Sequence, residues 1–354
     1  MMIPRIIKYL LKRGIIIFLT VVAAVYITIW IANMGGYVDE IVKGDLYISI
    51  SQNIRQNPAY KHLNETQIRE LIDALYTNEL KRIGFDKPFI YRSFAYLRDA
   101  LSLNLGRALW LSSDSGSRSV RIIILERLPN TVLLFTTTQL ILFFIGLFAG
   151  LFLSRRYGSI SDKLSVLLAP LSSLPGWFYG IFLILIFASF LRLLPYGGMV
   201  DVPPPEDRWL YTLSVLKHMI LPVISWLIAY SFINVYVRRT FFLMFSSEDY
   251  VELAKAKGLP ESLIQRRYIL RPTLPPIITD FSLTLIGSWM GAIITERVFN
   301  WPGIGSLFYS ASVMFDTPIL VGLVVIYAYL LAVTVFTLEL VYAVLDPRIR
   351  VGGA

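Results

Sequence analysis

Apolar residues in this chain fall into long blocks rather than into alternating or narrowly striped patterns. The blocks cover about 14–33, 131–153, 164–191, 217–237, 274–295 and 318–342, each close to the roughly 20 residues an α-helix needs to cross a bilayer. They predict an all-α integral membrane fold with six spans. The third block contains Pro170, Pro175 and Gly176, breakers that a bundle tolerates where neighbouring helices satisfy the freed backbone groups. The first follows Arg5, Lys8, Lys12 and Arg13. It is too long for the apolar core of a signal peptide, and no Ala-x-Ala site follows it, so an uncleaved first span is expected.

Composition sharpens this picture. Of 354 residues, 56% are hydrophobic and 16% charged, against about 25% charged in soluble domains. A water-soluble globule has no way to hide so much hydrocarbon. The net charge of +9 would suggest nucleic acid in a soluble protein; here the distribution of basic residues orients the spans instead. With the N-terminus inside, segments 1–13, 154–163, 238–272 and 346–354 hold 4, 3, 7 and 2 Lys/Arg, while the short outer loops 192–216 and 296–317 hold three, Arg192, Arg208 and Arg297. Basic residues in short loops mark the cytoplasmic side, so both termini are expected inside.

The polar stretch 35–128 has 13 basic and 11 acidic residues, a balance expected of a folded, water-facing insertion. Asn64-Glu65-Thr66-Gln67 predicts a capped helix start with Ile68, Leu71, Ile72 and Leu75 on one face and Gly84 near its end. Asp86-Lys87-Pro88 predicts a second start, with Phe94, Leu97 and Leu101 at helical spacing. Asn64 also heads a glycosylation triplet, a second reading of the same residues. The resulting organisation is 1–34 for the N-terminus and first span, 35–128 for the extracytoplasmic, mainly helical insertion, 129–345 for a five-span core, and 346–354 for a tail.

Chemistry is bounded by what is missing. There is no cysteine, the histidines are His62 and His218, and no glycine is followed by lysine. Disulfides, thiol nucleophiles, a multi-His metal site and a P-loop are therefore excluded, and no catalytic residues are expected. Near the spans, Asp280, Glu296 and Glu339 lie within about two turns of a predicted boundary, which favours a structural partner over a proton relay. Gln139 is the strongly polar residue well inside a span, where pathway lining and interhelical bonding are both open. Trp177, Phe178, Trp209, Trp289 and Trp301 fall near span ends and read as interfacial anchors. Trp301-Pro302-Gly303-Ile304-Gly305 reads as a tight turn, with a gating or partner contact as its alternative.

The core contains a cytoplasmic loop, 238–272. Ser246 and Ser247 are N-cap candidates, Glu248 and Asp249 suit the positive end of a helix, and Gly258 supplies a stop. Tyr250, Val251 and Ala254 share one side, with Glu252, Lys255 and Lys257 on the others. A second helix is expected from Pro260 past Leu263, Ile264 and Tyr268, ending before Pro272. Such a knob, rich in small residues, lets a partner backbone approach closely.

EDYVELAKAKGL, residues 248–259, resembles the cytoplasmic Glu-Ala-Ala loop of ABC importer permeases, in the form of the dipeptide/oligopeptide branch, first (B-type) subunit. GFDKPFIYRSFAYL (84–97), ERLPNT (126–131), ERVFNWPGIGSLFYSA (296–311) and VYAVLDPRIR (341–350) are similar to other segments of that branch. The chain departs from the pattern at Asn33-Met34-Gly35-Gly36, at Arg271-Pro272-Thr273-Leu274, and in having Glu339 and Val335 in the last span.

The resemblance implies a type I importer fold in the cell membrane. It also implies a homologous second permease, two cytoplasmic ATPase subunits that bind the ATP, and an extracellular solute-binding protein. Membrane lipids surround the chain, and neither nucleic acid nor a cofactor of its own is implied. Asp249, Tyr250, Val251, Ala254, Lys257, Gly258 and Leu259 would form the ATPase-coupling segment. Peptide is the first cargo implied, oligosaccharide or nickel the alternative. A secondary transporter or channel lacks support, since no paired intramembrane acid and base and no inverted repeat are evident. A receptor would be expected to carry a cytoplasmic signalling domain.

Overall fold

A computed structural model describes residues 2–33, 36–85 and 87–345 of the chain. The tail 346–354 and Asp86 of the second expected helix start lie outside them. The regular secondary structure of the described residues is all helical, apart from one isolated antiparallel bridge between Arg107 and Ser119.

Among the described residues, four helices are long and apolar enough to cross a membrane: α1 (Met2–Asn33), α5 (Val120–Ser154), α8 (Arg208–Ser246) and α14 (Thr317–Leu345). A fifth candidate is a bent pair. Here α6 (Ile160–Leu168) runs through a 3-10 turn to Ser173, and α7 (Gly176–Leu183) through a π turn to Phe190, the two halves meeting at 90°. The block expected to span over 164–191 is thus broken near its middle, at the breakers the sequence contains. The residue before a proline is pushed out of the helical region, and Leu174 before Pro175 is extended at ψ 133°. The block 274–295 is also changed: α11 (Arg271–Ser288) carries Arg271, Asp280 and three prolines and falls short in apolarity.

Expected boundaries move elsewhere too. The 35 residues of α5 start eleven positions before 131 and pass through Pro129. With 39 residues, α8 is about 58 Å long at 1.5 Å per residue and outruns 217–237 at both ends. Its start is fixed by Asp207, whose carboxylate accepts from the N–H groups of Trp209 and Leu210 at 2.8 and 2.9 Å. Pro272 does not end a helix. The chain stays helical from α10 (Glu261–Leu263) through a π turn over Ile264–Leu270 into α11, where the proline sits in the first turn, its tolerated place.

The insertion holds α2 (Tyr37–Gln56), which no sequence signal announced, α3 (Glu65–Arg82) and α4 (Phe89–Leu101). Asn64 caps α3 as a reciprocal box: its Oδ1 accepts from the Gln67 N–H at 2.9 Å, and Gln67 Oε1 accepts from the Asn64 N–H at 3.2 Å. The insertion is bound to the spans. Ala100, Leu97 and Phe89 of α4 pack on Val21, Val25 and Ile29 of α1 and Val325 of α14. Fully buried Asp316, just before α14, accepts from the N–H groups of Leu109, Trp110 and Leu111 at 2.9–3.1 Å.

Burial follows an inverted pattern. Large apolar side chains such as Phe148, Leu167 and Phe190 point outwards, while Gln139, Asp162, Arg238, Arg239 and Glu296 are buried. Lipid as the outer solvent explains both. The central packing is α5 along α8, with α1 on α14 beside it.

Candidate coupling helix and translocation cavity

At the end of the bundle opposite the insertion, α9 (Asp249–Ala256) follows α8 after a sharp turn. Its N-cap residue is Glu248, not either serine. Ser246 Oγ donates to the Leu243 carbonyl at 2.7 Å and Ser247 Oγ to that of Met244 at 2.8 Å, so both serines close the end of α8 instead. Gly258 ends the helix at φ 71°, the left-handed stop that glycine adopts without strain.

The sides of α9 differ from the sequence reading. Val251 is fully buried and Ala254 nearly so, packed with Phe242 of α8, Ile264 and Ile269 of the π turn and Ile277 of α11, with Leu259 at the edge. Tyr250 is turned away from them and exposed, as is Leu253 at 57%. Asp249, Lys257 and Gly258 are exposed with them. Of the seven residues expected to form the coupling segment, Val251 and Ala254 fasten the helix to its own chain. Leu253, not singled out in the sequence, joins Tyr250 on the open face.

The helices that seat α9 also border a cavity system. Gln139 of α5 is buried and, with Trp226, Tyr230, Asn234, Thr284 and Ser288, lines a cavity of about 330 Å³. A second cavity of about 340 Å³ shares Asn234 and Thr284 and extends to Arg238 and Asp280. Tyr230, Asn234 and Arg238 recur every four residues on α8, and Asp280, Thr284 and Ser288 do so on α11. Residues four apart share a helix face, and the two helices run antiparallel, so the polar positions oppose one another along a single track.

The chain matches the model of the binding-protein-dependent transport system inner membrane component over residues 143–351. This chain belongs to that family. It is 32% identical over 295 residues to a Brucella ovis protein named as a peptide permease, covering 83% of this chain and 88% of that one. Identity is 28% to the di/tripeptide transport system permease protein of Pseudomonas aeruginosa, with 80% and 87% covered. It is also 28% to the oligopeptide transport system permease protein of Bacillus subtilis, with 77% and 84% covered. The chain is thus a permease of the ABC importer kind, in a multi-pass membrane fold.

In this permease the cavity of about 330 Å³ reaches Gly291 and Ala292, directly before α12 (Ile293–Val298), α13 (Ile304–Val313) and the turn between them, a stretch expected to be loop. Trp301 is fully buried, its Nε1–H donating to the Asn130 carbonyl at 3.0 Å, so it is a core residue and not an interfacial anchor. Glu296 is fully buried as well. Its carboxylate accepts from Thr131 Oγ1 and from the Ser306 N–H, both at 2.8 Å. Burial without a cation pushes its carboxyl up to about 7. Gly303 is required by this closeness: a Cβ there would lie 2.4 Å from Thr131 Oγ1 and 2.6 Å from Glu296 Cδ.

Two other carboxylates of the spans have partners as well. Glu339 accepts from the Tyr9 hydroxyl and lies 3.4 Å from Arg13, and Asp280 lies 3.4 Å from Arg238. His218 is a buried helix residue whose Nδ1 is 2.8 Å from the Ser214 carbonyl oxygen. The sequence reading missed Arg238 and Arg239 as buried groups. A signal was present: Gly146 and Gly150 on α5 form a small-xxx-small pair that lets helices approach closely, and the α8 backbone at Arg239 would lie 3.0 Å from a Cβ at Gly150.

Proposed function

We propose that this permease forms one half of the pathway of an ATP-driven peptide importer. Its partners are a homologous second permease, two cytoplasmic ATPase subunits and an extracellular solute-binding protein. The chain itself catalyses nothing and holds no cofactor; ATP is bound and hydrolysed by the partners. It crosses the membrane six times, α11 included, with both termini and α9 in the cytoplasm and the insertion outside. Peptide as cargo is supported by the names of its relatives.

One observation carries the coupling: the helices that hold α9 are the helices that border the polar track. Val251 and Ala254 tie α9 to α8 and α11, while Tyr250 and Leu253 stay open for the ATPase subunit. When the ATPase dimer closes, displacement of α9 is transmitted to α8 and α11, and the track is re-aimed from one side of the membrane to the other. This is a two-state element biased by its partners.

The test is co-purification of the ATPase subunits together with ATP-dependent peptide uptake by the reconstituted complex. Gly258→Arg has open space around the new side chain but strains a backbone at φ 71°; it is expected to abolish both, and thermal unfolding of the variant permease separates lost docking from lost fold. Sidedness is read separately, since the chain has no cysteine. A membrane-impermeant maleimide should label Glu70→Cys in intact cells and Lys257→Cys only after permeabilisation. Labelling of Lys257→Cys from outside refutes the orientation and with it the coupling role.

A further inference from the structure

Neighbouring arginines at the same depth of α8 are held in opposite ways. Arg239 is held bidentately: its Nε and Nη2 donate to Asp162 at 2.6 and 2.7 Å in a buried fork, and Asp162 also accepts from the Gly158 N–H at 2.9 Å. That pair joins α6 to α8. Arg238 has one long contact, Nη2 to Asp280 at 3.4 Å, well beyond the 2.7–2.9 Å of a charge-assisted hydrogen bond. Its Nε is buried against Gly146 with no acceptor, and its guanidinium lies 5.2 Å from the Phe143 ring centroid. The facing carboxylate of Asp280 is 70% exposed, and both groups line the cavity of about 340 Å³.

Charged groups at membrane depth cost several kcal/mol unless they face partners or a water-filled path, and a guanidinium has five donors arranged to take a carboxylate bidentately. This pair leaves most of that capacity unused. It stands where the polar track reaches the end that bears α9.

We propose that Arg238 and Asp280 form a charge-matched exit site for the two termini of a zwitterionic peptide. The peptide α-carboxylate takes the Nη donors with which Arg238 borders the cavity, displacing the long contact to Asp280, and the α-ammonium takes the exposed oxygens of Asp280. The two residues re-pair when the peptide leaves. The uncharged positions before them, Tyr230, Asn234, Thr284 and Ser288, hydrogen-bond to peptide backbone without selecting side chains. The inference rests on the peptide-importer reading, and its test separates the two.

The assembled importer in nanodiscs, without binding protein or ATP, is exposed to a photo-crosslinking dipeptide in four forms: free, N-acetylated, C-amidated and blocked at both ends. Attachment to this chain is quantified. For the wild type we expect the free form to attach at least tenfold more than the doubly blocked one. Asp280→Asn should lower attachment of the free and C-amidated forms about tenfold and leave the N-acetylated form within twofold. Arg238→Gln should do the reverse, sparing the C-amidated form, and Arg238→Lys should retain most of the wild-type preference. Arg238 is clasped by α5, so should its variants fail to assemble, Asp280→Asn on the exposed partner decides alone. Equal attachment of all four forms to the wild type, or an equal fall for all four in Asp280→Asn, overturns the proposal. ATP-driven uptake of the free dipeptide by the same wild-type complex with its binding protein then tells the two readings apart. Uptake without terminal preference removes the exit site and leaves the importer, whereas absence of both uptake and attachment removes both.

Discussion

Leu253 and Val251 lie two residues apart on α9 and should fail in different ways when replaced. Leu253 is 57% exposed and touches nothing that the fold needs, whereas Val251 is fully buried. If the open face of α9 seats in an ATPase subunit, covering Leu253 contributes about 2 kcal/mol, and Leu253→Asp removes that and adds a charge to an apolar contact. The expected loss in subunit association is at least about 30-fold, with the thermal midpoint of the isolated permease unchanged. Val251→Ala removes two buried methyl groups next to Phe242 and Ile269, costing about 2 kcal/mol. It should lower the thermal midpoint while the assembled fraction keeps its affinity for the ATPase. The assay is titration of the purified ATPase onto detergent-solubilised permease, paired with thermal unfolding of each variant. A solvated surface leucine changes stability by no more than about 0.5 kcal/mol. Unaltered affinity in Leu253→Asp therefore refutes α9 as the docking element.

Two further outcomes follow from buried charge. Because Glu296 is raised from 4.5 to about 7 in the fold, the native state binds the extra proton; stability is full below about pH 4.5 and declines as pH rises through 7, by about 3 kcal/mol in all. Glu296→Gln should flatten the thermal midpoint between pH 5 and 8, and a variant that tracks the wild type in parallel excludes this carboxyl as the source. Arg239→Ala strands the Asp162 carboxylate in a buried site and should cost about 3–5 kcal/mol; Asp162→Asn in the same background should recover part of the loss in thermal unfolding.

The spans were legible wherever one long apolar block sufficed, as in α1, α5, α8 and α14, because lipid exposure demands hydrocarbon on every outward face. Gly258 was legible too, since a left-handed stop leaves few residues to choose from. What failed was local rules at prolines. Pro175 breaks the chain by 90°, whereas Pro129 and Pro272 are carried inside or at the start of helices; the sequence signal is the same, and the outcome depends on what packs around it. Trp301 shows the same limit. An aromatic near a span end reads as an anchor, but Leu134, Phe135, Val215 and Met219 from distant positions enclose Trp301, and the Asn130 carbonyl accepts its indole N–H.

Arg238 and Arg239 show why the functional site is harder to read than the fold. In sequence they are a basic doublet at the end of a span, counted as cytoplasmic charge. Successive helix positions are rotated by about 100°, so one residue of such a doublet must face a different neighbour from the other. Here Arg239 meets α6 and finds a carboxylate that fills its fork, while Arg238 meets the gap between α8 and α11 and finds one that does not. A close bidentate pair against a single long contact, not charge or burial, separates the residue that holds the bundle together from the one proposed to take a ligand. That property depends on Asp162 and Asp280, respectively 77 and 42 positions from their arginines, and it exists only once the helices have packed.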